Sequence, residues 1–208
     1  MIENVGDLVI CYATPLEGAG LPGSVAGRAL RLVETGVGPV NAAFALTRAL
    51  SASPADAVIV CGVGGAYPSS RLETGDVVCA STESYGDLGA DSPDGFLDLG
   101  ALGFPAIDLT LDLFPAERRV PFVTCATCTG TDARAAEIER RTGGAVESME
   151  GAAIVHVARL MGVRVGEVRG ISNRAGLRDR ASWRLEEAAA AARQALVEWI
   201  ETAGAAAC

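Results

Sequence analysis

The sequence predicts a single α/β domain with a mixed central β-sheet flanked by helices. Two observations carry this. Short apolar runs rich in Val, Ile and Cys alternate with helical patterns along the 208 residues, as layered α/β folds require. Half of the residues are apolar, which suffices for one sizeable core across residues 1–208. The mean hydropathy is high, at +0.30. Even so, no window approaches the roughly 18–20 apolar residues of a membrane span.

The elements follow in order. "DLVICYA" (7–13) is a buried strand. An acidic and polar opening without a basic n-region precedes it, so it is read as a strand and not a signal peptide, and a cytoplasmic location is expected. Residues 28–37 form a half-exposed strand, with Arg28 and Arg31 between apolar positions. "PVNAAFALTRALSAS" (39–53) is a helix with Pro39 in its first turn. "AVIVCGV" (57–63) and "DVVCAS" (76–81) are buried strands. Residues 83–106, rich in Gly, Asp and Pro, are long for a structureless connection and are expected to be a functional loop. "PFVTCAT" (121–127) is a further strand. "DARAAEIERRTG" (132–143) is a helix capped by Asp132 and ended by Gly143-Gly144. "EGAAIVHVARLMG" (150–162) is a helix and "VRVGEVRGIS" (163–172) a buried strand. A long last helix covers 182–204 with Ser182 as N-cap, and the tail beyond 203 is expected to fray.

Composition excludes several functions. The formal charge is −9 and no basic patch with interleaved aromatics occurs, so nucleic acid is not an expected partner. All 17 basic residues are Arg, which rules out a Schiff-base or P-loop lysine. His156 is the single histidine. That excludes a His-rich metal site, and neither a metal nor a cofactor is expected. Of the six cysteines, Cys11, Cys61, Cys79 and Cys125 sit in apolar runs, while Cys128 and Cys208 do not. Cys125 and Cys128 have CxxC spacing without a second pair, which argues against structural zinc and leaves a redox pair open.

Ligands of open α/β sheets bind beyond the carboxyl ends of strands. The residues expected there are Glu17, the glycines of "TGVGPVNA" and "CGVGGAYP", "TCTGTDA", Glu147 and Glu150, and "GISNRAG". The glycine clusters are either plain turns or points of close backbone approach to a ligand. Glu150 enters an otherwise apolar helix, as a carboxylate on the helix dipole or as a site residue. His156, inside the same helix, reads as a core histidine. Arg169 lies in a buried strand and needs an acidic partner, for which Glu150 or Glu17 would serve.

In this order, "GVGPVNAA", "CGVGGAYP", "SMEGAAIVHVA" and "VRGISNRAG" resemble the nucleoside phosphorylase/nucleosidase superfamily. Within it, the chain is most similar to the methylthioadenosine/S-adenosylhomocysteine nucleosidase branch. The resemblance implies that Glu17 activates the attacking water, that Met149 and Glu150 form the ribose clamp, and that Ser148 is among the substrate-binding residues. Arg169 would stand behind that clamp. Val63, Gly64, Ser172 and Asn173 would meet the purine, and Trp183 the ribose and its 5′ substituent. It also implies a homo-oligomer, a dimer or higher, with the 83–106 loop contributing to a neighbouring site.

Two positions depart from that branch. Asn173 stands where the adenine-specific members have an aspartic acid, and Cys128 near their base-stacking aromatic. Adenine offers an N6 donor, which a carboxyl can accept. Hypoxanthine offers O6, an acceptor, which a carboxylate would repel and an amide can bond. Asn173 therefore points to a 6-oxopurine, hypoxanthine or guanine. "CGVGG" lacks the hydroxyl or cation that a phosphate co-substrate needs, and Arg28 is the only early cation that could supply one. Together with Glu17, this favours hydrolysis. "ISNRAGLRDRASW" resembles the end motif of the futalosine hydrolase family, which implies release of hypoxanthine from futalosine on a bacterial route to menaquinone. Arg174, Arg178 and Arg180 are either an ordinary solvated loop or, with Trp183, contacts to the aryl carboxylate of that substrate. The alternatives are a purine nucleoside phosphorylase for inosine or guanosine, and a non-catalytic nucleoside-binding protein.

Overall fold

A computed structural model describes residues 6–111, 113–115 and 119–205. The strands are β1 (Leu8–Tyr12), β2 (Ser24–Val25), β3 (Arg28–Glu34), β4 (Ala57–Ala66), β5 (Val77–Tyr85), β6 (Gly89–Ser92), β7 (Gly95–Asp98), β8 (Arg119–Thr124), β9 (Val146–Ser148) and β10 (Arg164–Arg174). The helices are α1 (Pro15–Gly18), α2 (Pro39–Ala52), α3 (Asp132–Thr142), α4 (Gly151–Leu160) and α5 (Leu185–Ala205). The mixed α/β architecture is the expected one.

Eight strands form one sheet in the order β10-β5-β8-β9-β4-β1-β3-β2, and β10 also pairs with β4. That second pairing closes β10, β5, β8, β9 and β4 into a ring, from which β1, β3 and β2 extend. Strand β4 runs parallel to β1 and β10 and antiparallel to β9. The carboxyl ends of β1, β4 and β10 therefore open on one edge.

Apolar residues cover both faces. Val9, Val58, Val60, Val165 and Ile171 pack with α2 and α4 residues such as Leu46 and Ile154. Leu8, Ile10, Ile59 and Val168 pack with Leu196 and Ile200 of α5. The α5 helix presses closely on β10: a Cβ on Gly170 would collide with the Ala188 carbonyl. Among the described residues, no helix is long and apolar enough to cross a membrane.

Several local expectations need correction. Residues 83–106 are not structureless: β5 continues to Tyr85, and β6 and β7 form a hairpin. Phe96 of the hairpin lies under the Arg141 guanidinium, 4.1 Å from ring centre to Cζ. The α3 cap is Thr131, whose hydroxyl accepts the Arg134 N–H, while Asp132 instead accepts the Leu177 N–H at 3.0 Å. Gly143 ends α3 with φ 68°, as expected for a left-handed stop. The last helix begins at Leu185, because Ser182 lies in a separate 3-10 turn and donates to the Asp179 carbonyl. Residues 206–208, and with them Cys208, lie outside the described residues. The "GVGG" segment is no turn, since Gly62, Gly64 and Gly65 continue β4.

Candidate active site

The chain leaving β1 is fastened by a capping box between Thr14 and Glu17. Glu17 Oε2 accepts from the Ala13 N–H (3.1 Å), the Thr14 N–H (2.9 Å) and the Thr14 hydroxyl (3.0 Å). Among the described residues, its Oε1 accepts only from the Val63 N–H, at 3.0 Å. Gly62 makes this possible, because a Cβ there would collide with Glu17 Oε1. The carboxylate is thus oriented by four donors, with acceptor capacity left on Oε1.

Arg169 organises the centre. It is 2 % exposed and its Nε donates to Glu167 Oε1 at 2.8 Å. Its Nη1 donates to the Val63 carbonyl at 2.9 Å. The same nitrogen lies 3.8 Å from Glu150 Oε2 and 4.0 Å from Glu17 Oε1. Both anticipated partners are present, but the tightest one is Glu167. Burial opposes the Arg169 charge, and Glu167, Glu150 and Glu17 more than offset that, so its pKa rises. Glu150 is the N-cap residue of α4 yet makes no side-chain cap bond. Its Oε1 accepts instead from the Gly38 N–H at 2.9 Å. Gly38 presents that N–H from φ 94°, a backbone region that favours glycine. Burial raises the Glu150 pKa, against the pull of Arg169 and the Gly38 N–H.

The other end of the site is neutral and polar. Gly65 of β4 pairs with Asn173 on one side and Glu147 on the other. Residues in register share a sheet face, so the amide and the carboxyl flank a glycine floor. The Ser172 hydroxyl lies 2.8 Å from Asn173 Oδ1 and 3.2 Å from the Gly64 carbonyl. Asn173 Nδ2 donates to the Arg174 carbonyl at 3.0 Å. The pairing slips by one residue between Ile171 and Asn173, a bulge that re-aims the amide. Glu147 accepts from the Thr129 N–H (2.9 Å), the Thr129 hydroxyl (3.1 Å) and the Tyr67 hydroxyl (2.9 Å). Burial raises its pKa and those donors pull it back.

A cavity of about 420 Å³ joins these groups, a size suited to a small organic ligand. Glu17, Val63, Gly64, Ser148 and Met149 line it, as do Glu150, Arg169, Ser172, Asn173 and Trp183. The structure thus brings all ten sequence-predicted site residues to one cavity. Arg174 and Arg178 also line it, Arg180 does not, and no residue of 83–106 does. The Arg178 guanidinium stands 5.0 Å over the Trp183 ring. Cys128 lines the cavity while Cys125 is buried behind it, and both are free thiols. Burial first of all pushes the Cys125 thiol up to about 12, which makes it a poor redox nucleophile. His156 lies outside the cavity and meets the Tyr85 hydroxyl at 3.2 Å. Sequence reasoning missed Glu167 and Tyr67, and it placed Thr129 only within the segment "TCTGTDA" without a role. For Glu167 a signal existed, because a charge two residues from Arg169 in a buried strand falls on the same face.

Comparison with known proteins gives the family of the chain. The profile of the Phosphorylase superfamily matches residues 8–201. The chain is 39 % identical over 174 residues to the futalosine hydrolase of Streptomyces coelicolor, covering 77 % of this chain and 74 % of that protein. It is 34 % identical over 184 residues to the futalosine hydrolase of Thermus thermophilus, covering 79 % and 78 %. Among solved structures, the fold matches a 5′-methylthioadenosine/S-adenosylhomocysteine nucleosidase from S. pneumoniae, bound to a transition-state inhibitor. The TM-score is 0.81 at 21 % identity, covering 94 % of this chain and 98 % of that one. It also matches the futalosine hydrolase of Helicobacter pylori with TM-score 0.78 at 17 % identity, covering 95 % and 98 %. The chain belongs to the phosphorylase superfamily and, within it, to the family of the futalosine hydrolases.

Proposed function

We propose that this protein hydrolyses the N-ribosidic bond of futalosine, releasing hypoxanthine and dehypoxanthine futalosine on a route to menaquinone. The observation that carries the specificity is the Asn173 amide on the glycine floor of a cavity that also holds Glu17, Glu150 and Arg169. Its relatives named futalosine hydrolases support the same reading.

Cleavage of this bond builds positive charge on the ribose and negative charge on the leaving base. Glu150 binds the ribose hydroxyls, and its charge with that of Glu17 favours the cationic sugar. Glu17 takes a proton from the attacking water through Oε1, the oxygen with capacity left. Ser172 holds Asn173 Oδ1, so the second Nδ2 hydrogen is free to donate to O6 or N7 of the base. Glu147, in register across Gly65, has one acceptor direction left for the N1–H that hypoxanthine has and adenine lacks. Arg178, steadied on Trp183, meets the aryl carboxylate at the 5′ end.

The test is product analysis with futalosine, inosine and methylthioadenosine, each with and without phosphate. Phosphate-independent hypoxanthine release from futalosine is expected to be fastest. Faster adenine release, or dependence on phosphate, would overturn the reading. Glu17→Gln should lower kcat by about 100-fold or more, the scale of a lost general base. Arg178→Ala should raise KM for futalosine and leave KM for inosine unchanged.

The reading includes a cytoplasmic location and a homo-oligomer. Val37, Val40 and Phe44 are exposed at 49, 79 and 65 % and fall on one side of the start of α2. Val37 also lines the cavity, so a second copy seated there would cover its mouth. Light scattering on the whole chain tests this, and a monomer at assay concentration would refute it.

A further inference from the structure

Two carboxyls behind the site take no direct part in this chemistry. Glu83 of β5 and Glu167 of β10 are 4 % and 0 % exposed, and neither lines the cavity. They meet over Gly151: a Cβ there would collide with Glu83 Oε1 and lie 2.6 Å from both Glu167 oxygens. Among the described residues, Glu83 Oε1 and Glu167 Oε2 are each buried without a hydrogen-bond partner, as is Arg169 Nη2. Two unpartnered carboxylate oxygens brought together at one buried glycine are untenable if both are charged. One proton between them satisfies both.

The surroundings say which carboxyl holds it. Glu167 already accepts from the Arg169 Nε–H at 2.8 Å, a charge-assisted bond. Glu83 has only the Thr124 hydroxyl, at 3.0 Å, which in turn accepts the Ala152 N–H at 2.7 Å. The other charged or titratable groups nearby are Glu150 at the start of α4, Tyr85 two residues along β5, and His156, which bonds Tyr85. Burial and then the Glu167 charge hold the Glu83 carboxyl well above the ordinary carboxylate range, with Arg169 opposing them.

We propose that Glu83 is a neutral acid that keeps its proton and donates a hydrogen bond through it to Glu167, and that it is a positioning residue for Arg169. With the proton in place, Glu167 keeps one full charge for Arg169 Nε. Arg169 Nη1 then stays on Val63, Glu150 and Glu17. Without it, two adjacent carboxylates would compete for the guanidinium and draw it away from the ribose carboxylate. The catalytic part of this proposal rests on the futalosine hydrolase reading, while the shared proton does not.

The experiment compares the whole chain with Glu83→Gln and Glu83→Ala. A Gln at 83 can donate to Glu167 and accept from Thr124, as the neutral acid does. Glu83→Ala should lower kcat by about tenfold or more with KM less affected, and Glu83→Gln should recover it to within about threefold at neutral pH. Wild-type activity should fall on the alkaline side as Glu83 loses its proton, and Glu83→Gln should lack that fall. Infrared spectroscopy should show a protonated carboxyl band that disappears in Glu83→Gln. If the band is absent, or the two pH profiles coincide, the proposal is wrong. Should Glu83→Ala fail to fold, the Glu83→Gln profile and the band still decide it. Should the protein leave futalosine untouched, the function reading fails, and the band alone decides the shared proton.

Discussion

Exchanging the Asn173 amide nitrogen for oxygen would put an acceptor where a 6-oxopurine also presents one. Asn173→Asp is expected to cost about 1–3 kcal/mol of transition-state binding, the range for one mismatched buried polar pair. That corresponds to a loss of roughly fivefold to 150-fold in kcat/KM for futalosine, measured by hypoxanthine release. Unchanged kcat/KM would remove Asn173 from base recognition. At this scale the sequence was informative where a residue stood out from its surroundings. Glu150 in an apolar helix, Arg169 in a buried strand and Asn173 in the place of an acid could each be read. Glu167 stood out in the same way, but its meaning depends on Glu83, 84 positions earlier in the chain. The Thr129 and Tyr67 donors to Glu147 could not be read, because they converge only through strand pairing.

The junction of α4 with β10 is where one element depends most on another. Gly151 is the first residue of α4, a position where alanine is ordinarily the better helix former. Here the added methyl would enter the space between Glu83 and Glu167. Gly151→Ala should therefore destabilise the protein by about 1–3 kcal/mol, as overpacking does, and lower activity with it. The midpoint of denaturant unfolding checks this, and a raised midpoint would show that propensity outweighs the clash. The buried strands and the helices with hydrophobic periodicity were legible to within a few residues. The ends were not. Asp132 and Ser182 are good cap residues by type, but Thr131 caps α3, and the 3-10 turn at Arg180–Ser182 occupies the expected start of α5. The β6–β7 hairpin was hidden because its pattern is short and Gly-rich, and it packs against Arg141 rather than the core.

The protein as a whole buries carboxyls, in its interior and along the walls of the cavity. Glu83, Glu147 and Glu150 all have pKa values raised chiefly by burial. A carboxyl raised on folding binds its proton more tightly in the native state. Its contribution to stability is complete below the ordinary carboxyl pKa and is lost as pH rises through the raised value. The melting temperature should therefore fall as pH increases from about 5, and fall less steeply in Glu83→Gln. A melting temperature that rises over that interval would contradict the sign. The −9 formal charge acts in the same direction, because self-repulsion grows as the carboxyls ionise.

The double pairing of β10 bears on how this site persists. An open sheet could part beside the strand that carries Glu167, Arg169 and Asn173, and its amides would then exchange with solvent through local fraying. With β4 on one edge and β5 on the other, that strand has no loose margin over Val168–Gly170. Releasing it means breaking the ring itself. The middle of β10, with Arg169 at its centre, is then among the last parts of the protein to melt, while Ser172 and Asn173 lie beyond the doubly paired stretch.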